Sequence, residues 1–414
     1  MRKLIVAALV AAGLASPVAA QRRADAHYQP PRPHLWADAD TNSAAAYYTL
    51  GAQHVGDDPQ LAADAFYWAS RLHPGWADPL YARRVALLLQ LGEERFLRYV
   101  AGQRSVTRAA DVQAIDSLYV RALTADPFLY RKFDLYLDRR YWHAAFTDDA
   151  RRRGELPNEA LYNSWFNGAL QSVDPDTRGY VAYVNGRFAE AREWLERATR
   201  TAGHHRSRAR ADLARVLYLG GERQRSAEVM AEAIGDMRRE DERDLVFAYE
   251  SKALLEHSVA IAREELGDRA GAREAYGRAL QEDLAFYPAH VRLGKLALAA
   301  GDTAAAVAEL ALAAQAAPDD GAVAYDYAVV AAAAGRLADA LPQLERSVAL
   351  EPWFAAPHLL IGRIYDASGM RTEAIQHLND FVSRAPRDDP ALAWARGRAA
   401  ELQSALDAEK GDAR

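Results

Sequence analysis

Small and apolar residues recur at helical spacing along the C-terminal half of the chain. Within residues 321–352, Ala324 and Ala328 lie four positions apart, as expected for one face of a helix. Gly335 interrupts this stripe, and a second stripe begins at Ala340. The pattern predicts two short antiparallel helices, each with an apolar face that needs cover from another element.

The same two stripes return every 34 residues between 287 and 388. A single pair of short helices cannot bury both of its apolar faces, so neighbouring pairs must stack. Small residues recur where helix backbones should approach closely, and prolines recur where each second helix should end. The repeated positions are Gly294, Ala328 and Gly362; Ala306, Ala340 and Ala374; Leu310, Leu344 and Leu378; and Pro318, Pro352 and Pro386.

The most regular unit closely resembles the tetratricopeptide repeat (TPR). It reads His358-x2-Ile361-Gly362-x2-Tyr365, then Ala374-x3-Leu378-x2-Phe381, then Pro386. The resemblance is strong over 253–388 and weaker over 43–76 and 172–241. It implies an all-α fold, a right-handed α-solenoid of stacked helix-turn-helix repeats. A narrow apolar stripe after the last repeat predicts a C-terminal capping helix.

These patterns divide the chain into eight segments. The regular array follows two stretches of weaker repeats, and a stretch rich in aromatic residues separates those two. The predicted segments are a signal peptide (1–20), a Pro-rich extended leader (21–42), degenerate N-terminal repeats (43–103), an atypical aromatic-rich helical segment (104–171), diverged repeats (172–252), the regular 34-residue array (253–388), the capping helix (389–406) and a disordered tail (407–414).

Residues 1–20 have the three parts of a secretory signal peptide. Arg2 and Lys3 precede an apolar run over 4–15, and Val18-Ala19-Ala20 supplies the small residues that the peptidase reads. We expect cleavage after Ala20 and export, to the periplasm or as a secreted protein. A membrane anchor is the alternative, but the apolar run is short for a bilayer. No later stretch is predicted to span a membrane.

Charge and composition exclude several classes of protein. The net charge is −6, and it becomes −8 once the two basic residues of the signal are removed. Nucleic-acid binding needs a basic surface, so a nucleic-acid partner is not expected. The chain has no cysteine, which excludes disulfides, thiolate metal sites and a cysteine nucleophile. Arginine far outnumbers lysine, which favours a bacterial protein from a GC-rich genome.

The sequence contains no recognisable catalytic, cofactor-binding or metal-binding motif. Glycine-rich nucleotide loops, the HExxH zinc motif and the GxSxG nucleophile turn are absent. His27, His34 and the pair His204-His205 lack a third ligand at a suitable spacing. We therefore expect a non-enzymatic scaffold without a cofactor, whose partners are other proteins of the cell envelope. A hydrolase is the less favoured alternative, because spacing pairs no nucleophile with a base.

The resemblance also implies where a partner would bind. In TPR proteins the first helix of each repeat lines a concave channel that holds a peptide or a helix. Members that clamp a chaperone's C-terminal carboxylate use Lys, Arg and Asn there, whereas Val291, Tyr325 and Val329 favour an amphipathic helix or an apolar peptide. Alternatively, another part of the same chain, such as the leader, covers the channel. The implied lining is Leu254, His257, Ile261 and Glu264; Pro288, Val291, Lys295 and Leu298; Ala322, Tyr325, Val329 and Ala332; and Ala356, Leu359, Arg363 and Asp366.

Aromatic residues are concentrated between 119 and 180. Asp126-Pro127 predicts a helix start, followed by an apolar face made of Leu129, Phe133, Leu137 and Tyr141. Tyr130, Trp142 and Trp165 form a candidate aromatic surface. They pack against neighbouring repeats, or they anchor a partner. A second hypothesis for function is that this segment binds a glycan or another small ligand.

Overall fold

Helices and the turns between them make up the regular structure of the described residues, and no strand occurs among them. The computed structural model describes residues 29–92, 95–97, 110–156, 158–169, 174–201, 206–241 and 251–412. The predicted signal peptide, the leader up to residue 28, His27 and His204-His205 lie outside these ranges. Among the described helices, none combines the length and hydropathy that crossing a membrane requires.

The described helices pack mainly as consecutive pairs, and the pairs stack on one another. The all-α solenoid predicted from the 34-residue pattern is therefore confirmed. The helices are α1 (Ala44–His54), α2 (Pro59–Leu72), α3 (Ala77–Gln90), α4 (Ala110–Ala125), α5 (Asp134–Arg152), α6 (Glu159–Ala169), α7 (Pro175–Val184), α8 (Phe188–Thr201), α9 (Arg206–Leu219), α10 (Arg223–Asp241), α11 (Lys252–Glu265), α12 (Arg269–Glu282), α13 (Tyr287–Ala299), α14 (Thr303–Ala316), α15 (Gly321–Ala333), α16 (Leu337–Leu350), α17 (Ala356–Ala367), α18 (Arg371–Arg384) and α19 (Leu392–Asp412).

A glycine with a positive φ angle joins the two helices of each pair in the regular array. Gly301 and Gly335 follow the first helices with positive φ angles of 82° and 74°, a conformation that glycine adopts with the least strain. After Gly301, the Asp302 side chain accepts a hydrogen bond from the backbone N–H of Ala305 and caps α14. The turn thus ends one helix and begins the next.

Small residues allow the two helices of a pair to approach closely. Ala306, Ala340 and Ala374 are fully buried, with 0% of their surface exposed. A Cβ atom added to Gly294 would lie 1.9 Å from Leu310 Cδ2 and 3.0 Å from the carbonyl oxygen of Ala306. The predicted ladder of small residues therefore occupies equivalent buried places in successive repeats.

The N-terminal end of the described chain returns to the C-terminal repeats. Trp68 in α2 packs edge to face on Trp353, with 5.4 Å between ring centres. The guanidinium of Arg32 lies 4.4 Å from the centre of the Trp68 ring and 4.6 Å from that of Trp353. Arg71 forms an ion pair at 2.9 Å with Glu351, 280 positions further along the chain. We refer to these five residues as the closure contact.

The described part of the leader, 29–42, has turns at 37–38 and 41–42, and it packs against both ends of the solenoid. The indole of Trp68 donates a hydrogen bond to the carbonyl oxygen of Pro30 at 3.1 Å. Asn42 donates to the carbonyl oxygen of Ser383 at 3.0 Å. This segment therefore ties the first described repeat to the end of α18.

The helix predicted to start at Asp126-Pro127 is wrong, because α5 begins at Asp134. The Asp126 carboxylate accepts from the backbone N–H of Phe128 at 2.8 Å, which forms a turn. The Tyr183 hydroxyl donates to the carbonyl oxygen of Leu129 at 3.1 Å. Hydrogen bonds to a neighbouring helix thus replace the helical bonds that local sequence favours.

The disordered tail predicted from residue 407 is also wrong, because α19 continues to Asp412. Polar side chains support its last turns. Gln403 donates to Asp407 at 2.9 Å, one helical turn away, and Arg371 in α18 pairs with Glu409. These contacts give the polar side chains of the last turns partners within the protein, which stabilises the helix end.

Replacing Gly294 with alanine should destabilise the protein by about 1–3 kcal/mol, because the added methyl group has to displace Leu310 or the α14 backbone. The matched control is Gly277→Ala in α12, where an added Cβ meets no atom within 4 Å. Helix propensity should make that variant more stable by up to about 1 kcal/mol. Urea unfolding followed by circular dichroism measures the free energy of unfolding of both variants. Equal changes in that free energy would contradict the close packing at Gly294.

Candidate binding cavity

A cavity of about 410 Å³ lies between the first helices of the regular array, α11, α13 and α15, and the N-terminal helices. His257 of α11 and Val291 and Lys295 of α13 line it on the array side. Arg71 of α2 and Leu80 of α3 line it on the opposite side. The N-terminal helices therefore cover part of the channel, whereas no residue of the leader segment 29–42 lines the cavity.

The predicted channel residues separate into three groups in the structure. The cavity includes His257, Pro288, Val291, Lys295 and Ala322. Leu254 and Ile261 are buried in the core beside it. Glu264 lies outside the cavity and accepts a hydrogen bond from Tyr276 at 2.7 Å. The remaining predicted residues also lie outside it: Leu298, Tyr325, Val329, Ala332, Ala356, Leu359, Arg363 and Asp366. Their roles in binding stay predictions.

The capping helix engages the C-terminal group of predicted channel residues. Arg363 lies with its guanidinium 4.7 Å from the centre of the Trp394 ring. Both carboxylate oxygens of Asp366 accept hydrogen bonds from Arg398, at 2.8 and 2.9 Å. This paired geometry lowers the pKa of Asp366. Two of the charges expected in the channel are therefore used to dock α19.

The charges around the cavity are of both signs and form pairs. Lys295 pairs with Asp326 at 2.9 Å, and Arg292 lies 3.6 Å from the Glu264 carboxylate. On the opposite side, Arg71 pairs with Glu351. Because acidic and basic groups are interleaved, the cavity does not favour a strongly charged ligand of either sign.

His257 places a neutral polar group in the cavity wall. It is 2% exposed, and burial lowers its pKa to about 3, helped by the nearby Arg292 cation. The ring is therefore neutral at physiological pH. Its Nδ1 atom has no hydrogen-bond partner in the protein. Buried polar atoms usually have one, so this atom is an exception in the cavity wall.

The aromatic-rich segment builds an internal junction between helices. The carboxylate of Asp134 accepts hydrogen bonds from the hydroxyls of Tyr81 at 3.0 Å and Tyr180 at 3.1 Å. Arg131 donates to Asp212 at 3.0 Å. Through Tyr81, this junction fixes α3, which forms part of the cavity wall.

The three residues of the candidate aromatic surface do not share one environment. Tyr130 donates its hydroxyl hydrogen to the carbonyl oxygen of Val184 at 3.0 Å and packs within the protein. Trp142 on α5 is 41% exposed and packs edge to face on Tyr141. Trp165 belongs to α6, but its side chain lies outside the described residues. Tyr130 is therefore a packing residue.

Sequence reasoning missed the N-terminal wall of the cavity, including Arg71 and Leu80. The 34-residue register relates only neighbouring repeats, so it gives no sign of contacts between the chain's ends. One signal was available in α2. An end repeat of a solenoid needs a polar outer face, yet Tyr67 and Trp68 give this one large aromatic residues, which indicates that another part of the protein covers it.

Comparisons with known proteins identify a family for the C-terminal part of the array. Residues 331–399 match the family described as tetratricopeptide repeat, while no curated protein matches the sequence. Among solved structures, yeast Tom70 aligns over 88% of this chain and 90% of its own, with 11% identity and a TM-score of 0.42. YrrB, described as a TPR protein with an unusual peptide-binding site, aligns over 50% of this chain and 100% of its own, with 17% identity and a TM-score of 0.39. Sequence identities and TM-scores as low as these support no inference about function.

The family match begins near the end of α15 and reaches into α19. Stacked helix pairs of the same kind continue on its N-terminal side. Repeats of this family bind other proteins and generally serve as non-enzymatic scaffolds. Residues 331–399 therefore belong to the tetratricopeptide repeat family, and the helix pairs before them repeat the same architecture.

Proposed function

We propose that this protein is a non-enzymatic adaptor that binds an extended segment of another protein in the cavity between α2–α3 and α11–α15. The observation that carries the proposal is the partial closure of the channel. The cavity volume of about 410 Å³ falls near the lower end of the roughly 300–1,000 Å³ of small-ligand sites. A helix with its side chains is about 10–12 Å wide, so an extended segment fits better.

The chemistry of the lining supports a peptide ligand. Val291 and Leu80 offer apolar contacts to a side chain. The pair of Lys295 and Asp326 offers a donor and an acceptor to a peptide backbone, which carries both. We therefore expect a segment with little net charge and at least one apolar side chain.

We further propose that the protein works in the cell envelope, as a periplasmic or secreted protein. The support is the signal-peptide pattern of residues 1–20. The proposed partner is accordingly another envelope protein. A glycan site in the aromatic-rich segment is less favoured, because Tyr130 packs within the protein.

Filling the cavity should abolish peptide binding. Ala322 is half-buried and lines the cavity, while Ala356 has the same position one repeat later and lies outside it. Peptides selected from a displayed random library with the wild-type protein should bind Ala356→Trp normally and Ala322→Trp at least about tenfold more weakly, a loss of about 1.4 kcal/mol. Fluorescence anisotropy measures the affinities, and circular dichroism checks folding. Equal binding by Ala322→Trp, or a failure to select any peptide, would refute the proposed site.

Export is tested separately. The full chain, expressed in a Gram-negative host, should be recovered from the periplasm with Gln21 as its first residue. Leu9→Arg interrupts the apolar run that the export machinery reads, so this variant should stay in the cytoplasm and keep Met1. Mass spectrometry of the N-terminal peptide in the periplasmic and cytoplasmic fractions shows whether residues 1–20 have been removed. Wild-type protein that retains residues 1–20 in the cytoplasm would rule out export.

A further inference from the structure

Two histidines and an aspartate meet between α17 and α18, away from the cavity. His358 Nδ1 lies 3.2 Å from His377 Nδ1 and 3.9 Å from Asp380 Oδ2. One such atom from each residue lies within 4.8 Å of the others. His377 and Asp380 are three positions apart on α18 and share one face. The helix pair thus brings three potential metal ligands together.

The cluster is largely buried. His358 is 4% exposed, and its ring atom nearest His377 and Asp380 is Nδ1. His377 and Asp380 are half-buried. A neutral imidazole has one nitrogen lone pair that can bind a metal ion.

We propose that His358, His377 and Asp380 bind a divalent transition-metal ion, with Zn²⁺ as the best match. Imidazole and carboxylate are common Zn²⁺ ligands. Tetrahedral coordination with bonds of about 2.0–2.2 Å separates the ligand atoms by roughly 3.3–3.6 Å. The observed separations of 3.2 and 3.9 Å from His358 Nδ1 need only small adjustments. Water can complete the coordination on the half-buried side of His377 and Asp380.

Arg384 has two opposing effects on this site. It donates a hydrogen bond to Asp380 Oδ1, which leaves Oδ2 for the metal and fixes the orientation of the carboxylate. Its positive charge repels a cation at the same time. We therefore expect micromolar rather than nanomolar affinity. The net effect should still be binding, because three ligands are already close together.

Neighbouring repeats of the array provide an internal comparison. One repeat earlier, Ala324 and Gln343 stand at the two histidine positions. Two repeats earlier, His290 pairs with Glu309 at 2.7 Å, but Leu312 stands at the aspartate position. In the described part of the chain, the complete set of three ligands occurs between α17 and α18.

The test is a titration of the tag-free mature protein, freed of metal with a chelator, with Zn²⁺ in a calorimeter. We expect one equivalent to bind with micromolar affinity. The double variant His358→Ala/His377→Gln should bind at least tenfold more weakly. It carries the residues that the array holds one repeat earlier, so it should fold. The control variant His290→Ala should bind like the wild type.

Co²⁺ provides a readout of the ligands themselves. The wild-type complex should show the visible absorption of a cobalt ion in tetrahedral coordination, and the double variant should lack it. Absence of stoichiometric binding by the wild type would overturn the proposal. Unchanged Zn²⁺ affinity in the double variant would overturn it as well, because the ion would then be bound by other residues. The cavity does not contain these residues, so neither result bears on the proposed peptide site.

Discussion

Arg32, Trp68 and Trp353 join the first described repeat to the C-terminal half of the array, and the shape of the concave face depends on this contact. In a solenoid each repeat otherwise touches only its neighbours, so this contact, together with the Asn42–Ser383 hydrogen bond, fixes one end relative to the other. Even a flexible chain would lose only about 2 kcal/mol more by closing 280 residues than by closing one repeat. Two cation–π contacts of about 0.5–2 kcal/mol each, together with the Arg71–Glu351 pair, can offset that loss.

Closure changes what the concave face can bind. An open channel accepts a whole helix, whereas α2 and α3 here contribute a wall that covers part of the channel. The aromatic-rich segment supports the same arrangement, because Asp134 holds Tyr81 and thereby fixes α3. A site whose walls are held in place loses less conformational entropy when a ligand binds. Binding should therefore change the protein's shape little.

Local and repeated features could be predicted from sequence, because each depends on residues less than one repeat apart. Gly294 and Ala306 show where helices approach, and Gly301 shows where one ends. Contacts between distant segments could not be predicted this way, and the bond from Tyr183 to Leu129 overrides a good local helix start. The residues of the closure contact do not recur at the 34-residue spacing, so the repeat pattern does not reveal them. The His358–His377 pair does lie in the 34-residue register, so comparing repeats position by position would have found it.

A disulfide between the two walls of the cavity tests the closure most directly. The chain has no cysteine, and an added Cβ on Gly75 would lie 3.9 Å from Ala322 Cβ, within the roughly 3.5–4.5 Å that a disulfide spans. Gly75 has a φ of 91°, which strains a cysteine there in both pairs, so circular dichroism first shows that each variant is folded. Gly75→Cys/Ala322→Cys should then form an intramolecular disulfide on mild oxidation, seen by non-reducing electrophoresis and mass spectrometry. The control Gly75→Cys/Ala356→Cys places the second cysteine one repeat away and should not. A first pair that stays reduced, or equal crosslinking of both pairs, would contradict a channel closed by α2 and α3.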